Sequence, residues 1–431
     1  MEHSLLSLVP LLLGSLLGLV SGLIPGIGNF VLLMIATPII LTMSPIDIII
    51  VYVALTSISQ YIGSIPATLL GIAGESSSFP VVVESSRLST PESISEAING
   101  AALGSFFGSF VVVIMCLLLL PQLDFIKYVF STKIYLIVLL VATVVICIIS
   151  NKNIFISIFM LLVGLFLGSI GYNAHYQTPF LAFDNIYLYS GLPFILISIV
   201  LFAIPQMLQN MASKDDKISI AITKPSMHKL NLPLSVLYSF IGFIGGLFPG
   251  LTTILSSYLA YMLSSYITTD PVKRIVASET ANNSGAFSQL LPLLLFSIPL
   301  VSSEAYLLNI LEMRGFYLEN ISIHDLLIPI SVSLIFINLL GVILAWPLSK
   351  YLLYVYTIKL EYIFYSIIII LLAISLYVGY THNSLIYYAL TIIGLSPIAY
   401  YFRKANTTPL VFAFLIHDSL LDNLIRLPLL M

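Results

Sequence analysis

The chain has 431 residues, of which 59% are hydrophobic and only 8% charged, with a formal net charge of −3 at pH 7. A water-soluble domain carries charge on about a quarter of its residues to cover its surface, so a soluble globular protein is excluded and the expected solvent is lipid. The continuous apolar runs also exclude the short alternating strands of a membrane barrel, and no basic cluster suggests nucleic acid.

The start, "MEHSLLSLVPLLLGSLLGLV", has neither the basic n-region nor the small-residue cleavage site of a signal peptide and is expected to be retained. It runs into "GLIPGIGNF" (22–30), where three glycines, a proline and an asparagine interrupt an apolar run free of charge from Glu2 to Asp47. Asp47, in "SPID", reads as a helix-start residue near an interface. A second interrupted segment is expected over 60–78, "QYIGSIPATLLGIAGESSS", leading into the acidic stretch 75–96. Charge-free stretches follow at 97–123, 134–151, 153–183 and 185–213, and later at 230–269, 326–349 and 362–402. Each reaches or exceeds the roughly 20 residues that a spanning helix needs. The fold class is therefore an all-α polytopic membrane protein. Cys116 and Cys147 fall inside apolar spans and read as small core residues, with no disulfide or metal framework. His175 and Asp184 belong to a loop-like stretch, where a lone histidine is a satisfied loop residue more often than a proton relay.

The segment 211–230, "MASKDDKISIAITKPSMHKL", is the longest polar connection near the middle and divides the chain into an N-terminal repeat (1–210) and a C-terminal repeat (231–431). Its lysines place it in the cytoplasm by the positive-inside rule, as do Lys273–Arg274 and Arg403–Lys404, while the acidic 75–96 stretch is expected on the outer side. In the second half "GGLFPGLTT" (245–253) repeats the first break, and "TANNSGAFSQLLPLLLFSIPLVSSE" (280–304) repeats the second interrupted segment. Adding 224 to Pro25 gives Pro249, and adding 226 to Ile72 gives Ile298. Near-constant offsets are what a duplicated unit leaves. The expected architecture is two pseudo-symmetric, inverted repeats with interrupted helices and re-entrant hairpins, the arrangement in which paired Gly/Pro-broken segments mark a transporter's binding site.

A helix broken in lipid leaves amides and carbonyls that only protein, water or a ligand can satisfy. Half-helices starting near Asn29 and Thr252 aim free N–H groups and positive dipole ends into a cavity, and two facing helix N-termini make an anion site without fixed positive charge. The substrate-binding candidates are Gly26, Gly28 and Asn29; Gly63, Ser64, Gly74 and Ser76; Gly250, Thr252 and Thr253; and Asn282, Asn283 and Ser302. Candidates for a coupling cation are Glu75, Glu279 and Asn283. Glu75 and Glu304 sit at the tips of interrupted segments, where a carboxylate is usually solvated. Glu279 follows "TDPVKRIVAS", in which Asp270 or Thr269 caps a helix with Pro271 in its first position.

At these residues the chain resembles the large membrane subunit of the tripartite tricarboxylate transporters. The resemblance is carried by both Pro-Gly breaks, by "GLFLGSIGYNAHYQTPFLAFDNIYLYSGLPFILISIVLFAIPQML" (164–208), by the Glu279-x-x-Asn282-Asn283 element and by "PLVFAFLIHDSLLDNLIR" (409–426). It departs from that family at Ala73, where proline is usual, and at Leu300, where glycine is usual, and the chain is shorter than typical members. The resemblance implies a permease in the cytoplasmic (inner) membrane that takes up a small carboxylate, such as a di- or tricarboxylate, on a Na⁺ or H⁺ gradient. It also implies a small membrane subunit and an extracytoplasmic substrate-binding protein as partners. A homodimer is left open, no cofactor beyond the coupling ion is expected, and no enzyme activity is expected. Two alternatives stay in view. A membrane channel would need no matched broken helices. An intramembrane hydrolase built on Ser284 lacks a nearby base in the sequence, and neither H-E-x-x-H nor a P-loop motif is present.

Overall fold

The computed structural model describes residues 8–24, 28–70, 76–119, 153–173, 178–181, 229–247, 252–355, 360–381 and 384–402, with short stretches and single positions among 121–122, 137–151, 188–201 and 405–417. These residues are almost entirely helical, as the composition predicts. In chain order they form α1 (Leu8–Leu23), α2 (Asn29–Ile40), α3 (Pro45–Leu70), α4 (Phe79–Ser85), α5 (Pro91–Leu118) and α6 (Ile154–Ser169). One short antiparallel ladder of β1 (Gly171–Asn173) and β2 (Thr178–Phe180) comes next. Then follow α7 (Leu232–Gly246), α8 (Thr252–Ile267), α9 (Pro271–Phe296), α10 (Ser302–Met313), α11 (Ile323–Val355), α12 (Leu360–Thr381) and α13 (Leu385–Tyr401).

The chain divides into two compact units. Residues 1–127, 214–300 and 310–360 form the larger; 128–213, 301–309 and 361–431 form the smaller. Within the smaller unit, Gly164 of α6 lies against Ala413, Phe159 tilts against Phe402 at 5.5 Å, and the Tyr387 hydroxyl donates to the Gly191 carbonyl at 3.1 Å. The candidate residues are concentrated in the larger unit, which is described from here on.

Helix starts in this unit follow local chemistry. Pro45, Pro91 and Pro271 each open a helix where a missing N–H is harmless. Thr90 and Ser93 form a reciprocal capping box, and Asp270 accepts the Val272 amide at 3.0 Å, as the sequence anticipates. Asp47 sits in the first turn of α3 and accepts the Ser44 hydroxyl at 2.7 Å. Three helices among the described residues are long and apolar enough to cross a membrane, Pro45–Leu69, Pro91–Leu118 and Ile323–Ala345; the first has 94% of its most apolar window buried.

Helices α1 and α7 show how lipid and protein divide a short helix. On α1, Leu8, Leu12, Leu16 and Val20 are exposed at a spacing of four, while Gly14, Gly18 and Gly22 are the points where α3 approaches. On α7 the exposed stripe is Leu232, Val236, Phe240 and Ile244, and Gly242, Gly245 and Gly246 are buried. Adding 224 to each exposed residue of α1 gives the exposed residue of α7. The packing partners correspond too. Gly18 meets Leu55 and Ile58, whereas Gly242 meets Ala281 and Ser284; Gly22 meets Ser59 and Ile62, whereas Gly246 meets Gly285 and Ser288. Adding 226 to each partner on α3 gives the partner on α9. The two prolines of α3, Pro45 and Pro66, become Pro271 and Pro292 of α9 by the same addition. Small residues let the backbones approach in a solvent that offers no hydrophobic push. A Cβ on Gly22 would fall 2.6 Å from Ile62 Cβ, and one on Gly246 would fall 2.8 Å from Gly285 Cα. Gly22→Val and Gly246→Val are each expected to destabilise the fold by roughly 1–3 kcal/mol, read as a lower thermal midpoint in detergent; Gly28→Val, with open space around it, is expected to leave that midpoint unchanged.

The later helices are exchanged. Helix α5 packs chiefly on α9, and α11 packs on both α3 and α5. Gly108 of α5 lies against the Thr280 backbone, and Gly341 of α11 lies 2.7 Å, measured from a built Cβ, from the Tyr61 ring.

Two sequence expectations need correction. The interrupted segment expected from Gln60 is not interrupted as far as Leu70, because α3 continues through Gly63, Ser64 and Pro66. Likewise α9 continues through Asn282, Asn283 and Pro292 to Phe296, and only then breaks. A proline inside a buried helix removes one hydrogen bond, and nearby hydroxyls and packed neighbours allow the helix to run on. The break after α9 is made by Ser297, which takes the left-handed conformation (φ 55); its N–H reaches Leu293 O, and the Ile298 N–H reaches Pro292 O. Adding 226 to position 71, a glycine, gives this position.

The second correction concerns sidedness. The 75–96 stretch and Lys273–Arg274 are expected on opposite sides of the membrane, yet Glu84 Oε1 accepts from Arg274 Nη1 at 3.0 Å. They lie together. The buried guanidinium is neutralised by Glu84, so it is not a free positive charge of the kind that orients a helix, and acidic residues weigh little in that rule.

Candidate functional site

Helix α9 is unlike a lipid-facing span. Ser278, Glu279, Thr280, Asn282, Asn283, Ser284 and Ser288 are all buried in it, within a chain whose outer faces are apolar. Intramembrane polar and ionisable residues are costly and face a bundle interior or a cavity. The geometry is specific. Asn282 Nδ2 donates to Glu279 Oε2 at 3.3 Å, leaving Asn282 Oδ1 buried with no hydrogen-bond donor among the described residues. Asn283 Nδ2 donates to Ser105 Oγ of α5 at 2.7 Å and to the Glu279 carbonyl at 3.4 Å. Ser284 Oγ donates to the Ser239 carbonyl of α7. The side chains of one helical stretch thus tie three helices together, and they present a carboxylate and two amides in one place.

A matching polar link joins α3 to α11. Asn338 Oδ1 accepts from Tyr61 OH at 2.7 Å and from Ser57 Oγ at 3.2 Å, while its Nδ2 donates to the Leu334 carbonyl. Subtracting 226 from Asn283 gives Ser57, so the α3–α11 and α9–α5 links occupy corresponding places. Between them lies a small cavity bordered by Tyr52, Thr56, Ser57, Gln60, Ser109 and Asn283, with apolar side chains closing the rest.

The other candidates are placed as follows. Gly28 is the residue before α2 in extended conformation, and Asn29 Oδ1 accepts from Ser21 Oγ at 2.8 Å across the break. Thr252 begins α8, is buried and has φ 29, a strained value for a threonine; Thr253 follows it in the first turn. Ser256 Oγ donates to the Gly242 carbonyl at 2.9 Å, so α8 packs against α7. Ser64 is buried and donates to the Tyr61 carbonyl, and Gly63 faces Gly22 at 3.9 Å from a built Cβ. Ser76 opens a 3₁₀ turn, Ser76–Ser78, that packs on α8. Ser302 opens α10. Gly26, Gly74, Glu75 and Gly250, like Pro25, Pro249, His175, Asp184 and residues 211–228, lie outside the described residues. The structure therefore gathers Glu279, Asn282 and Asn283, while the two Pro-Gly tips themselves are not among the positions it describes.

Some residues were missed or misjudged from sequence. Glu304, expected to be solvated, is fully buried in the first turn of α10, where the helix N-terminus favours a negative charge. Glu84 is fully buried and receives Arg274, Arg87 Nη1 at 3.2 Å and Tyr261 OH at 2.9 Å. Arg274 also donates to the Thr268 and Ser265 carbonyls at the end of α8. A single glutamate after "FPVVV" was the available signal. Gln60, Tyr61 and Asn338 were legible as polar residues inside long apolar helices, but no motif names them. Among the described residues, no group of three or more His, Cys, Asp and Glu could hold a metal. Cys116 and Cys147 are buried, as expected of small core residues.

Apolar stripes turned outward, glycine-mediated helix contacts and a polar helix kept inside define a helical membrane protein with a functional interior. The chain matches the Tripartite tricarboxylate transporter TctA family over residues 8–408, and it belongs to that family. Its family is thus that of the membrane component of tripartite tricarboxylate transporters, and membership implies further subunits, a substrate-binding protein among them. A relative described as an uncharacterised 52.8 kDa protein in the TAR-I ttuC′ 3′ region of Agrobacterium vitis is 25% identical over 430 residues, covering 96% of this chain and 85% of its own. No solved structure matches the chain.

Proposed function

We propose that the chain is the permease subunit of a secondary transporter that carries a small di- or tricarboxylate across the cytoplasmic membrane, coupled to Na⁺ or H⁺. The observation that carries this reading is the buried Glu279–Asn282–Asn283 group on α9 in a member of a transporter family. Amide donors and helix N-termini hold a carboxylate softly enough to release it, which suits a carrier. One charge crossing 100 mV yields about 2.3 kcal/mol, enough for one or two excess cations to concentrate an anion appreciably.

The same reading takes 1–210 and 231–431 as inverted repeats joined by a cytoplasmic connector, 211–230, with α1–α2 and α7–α8 as re-entrant hairpins whose Pro-Gly tips approach one site. It is supported by the corresponding exposed stripes, glycine contacts and prolines of α1 with α3 and α7 with α9. Gly26, Gly28, Gly250, Thr252 and Thr253 line that site in this reading, and Glu75, Glu279 and Asn283 are candidates for the coupling ion. A small membrane subunit and an extracytoplasmic binding protein complete the assembly. A hydrolase on Ser284 finds no support, since that hydroxyl donates to the Ser239 carbonyl.

The test is uptake into liposomes with a panel of mono-, di- and tricarboxylates, with and without a Na⁺ or pH gradient. Saturable uptake of a di- or tricarboxylate that stops when the gradient collapses is expected. Current without stoichiometric coupling would identify a channel instead.

A further inference from the structure

We propose that the cavity between α3, α5, α9 and α11 is a binding site for one small dehydrated monovalent cation, with sodium the ion that suits it. Its coupling role rests on the transporter reading; its binding does not.

The cavity measures ≈ 20 Å³, where one water-sized sphere needs about 10–15 Å³ on the same scale. That gives room for a single small ion. Gln60 supplies the sharpest observation. Its side chain is 4% exposed and borders the cavity, and Oε1 has no hydrogen-bond donor among the described residues. A buried amide oxygen left without a partner is destabilising by about 1–3 kcal/mol, so something with positive charge or a proton to share belongs opposite it. Asn283 contributes in the same sense. Both Nδ2 bonds are directed to Ser105 and the Glu279 carbonyl, so the oxygen end of the amide is the part left for the cavity. Thr56 donates its proton to the Tyr52 and Val53 carbonyls, and Ser57 donates to Asn338, which leaves lone pairs on both hydroxyl oxygens.

At Thr56, Ser57 and Asn283 the wall thus presents oxygens whose side-chain protons are already engaged elsewhere. Acceptors without donors suit a cation better than a water, which must also donate two bonds. The ligands are neutral, and no carboxylate borders the cavity. Neutral oxygens repay the dehydration of a singly charged ion, whereas Ca²⁺ sites need carboxylates and Mg²⁺ keeps its waters. Glu279 stands one helical turn before Asn283 on the same face and gives the region negative potential when ionised.

The experiment measures the thermal unfolding midpoint of the purified chain against NaCl, KCl and choline chloride at constant ionic strength, and equilibrium binding of radioactive sodium. A saturable rise with sodium alone is expected, together with one sodium bound per chain. Gln60→Leu is expected to weaken it about tenfold, and Gln60→Glu to retain or strengthen it. Equal responses to the three salts, or an unchanged sodium midpoint in Gln60→Leu, overturn the proposal and leave an ordinary hydrated cavity. Should a variant fail to fold, the wild-type binding stoichiometry still decides. Carboxylate uptake without sodium binding sinks this site but spares the transporter reading. Sodium binding without any carboxylate uptake does the reverse.

Discussion

Arg274→Ala is expected to destabilise the protein by about 3–5 kcal/mol, because it leaves the Glu84 carboxylate in a buried position without its main partner. Arg87 does not compensate: its side chain is 54% exposed and its contact to Glu84 is the longer of the two. Loss of Arg274 also releases the Thr268 and Ser265 carbonyls at the end of α8. Arg274→Lys keeps the charge but cannot reproduce three directed bonds, so it should fall between wild type and alanine. The pair should behave as a unit. A Glu84→Leu/Arg274→Leu double variant is expected to be more stable than Arg274→Ala alone, since it removes both charges from an apolar setting. Thermal unfolding in detergent, read on all the variants side by side, checks the ordering. A double variant as unstable as the sum of the singles would show that the two charges are not coupled.

The second large effect concerns transport. Asn282→Ala and Asn283→Ala are each expected to abolish carboxylate uptake while the protein still inserts, and Gly26→Val is expected to do the same. Asn283→Ala removes the amide that donates to Ser105 Oγ of α5, and Asn282→Ala removes a donor to Glu279 Oε2. Each lost buried hydrogen bond is worth about 1–3 kcal/mol, which a membrane bundle of this size tolerates. Stability should therefore fall modestly and uptake completely. Normal transport by all three variants would place the substrate elsewhere in the molecule.

The class of fold was legible at once, because a chain with so little charge cannot cover itself in water. The Pro-Gly breaks and the Asn282–Asn283 element were legible for a related reason: in lipid, each departs from what a simple spanning helix needs. Helix continuity was harder to read. Pro66 and Pro292 look like interruptions in sequence, but inside a packed bundle a missing amide is tolerated, and α3 and α9 run through them. The burial of Glu84, Arg274 and Glu304 was not legible either. A charge beside a break can be solvated or enclosed, and which occurs depends on partners distant in the chain: Glu84 and Arg274 are 190 residues apart. Gln60 escaped notice because one amide in an apolar helix carries no spacing pattern, and its meaning comes from the cavity that α5, α9 and α11 close around it.

The exchanged packing of α5 on α9 and of α11 on α3 has a consequence for how the chain is made. When α5 leaves the insertion machinery, the helix that will cover it has not yet been synthesised, and Ser57 and Tyr61 of α3 likewise wait for Asn338 of α11. Ser105, Ser109, Ser57 and Tyr61 must then rest in the bilayer against temporary company until the second half arrives. Neither half can be completed by itself. Assembly is a clasp closed only once α9 and α11 have been made, and cutting the chain in the connector would yield two pieces that need each other in the same membrane.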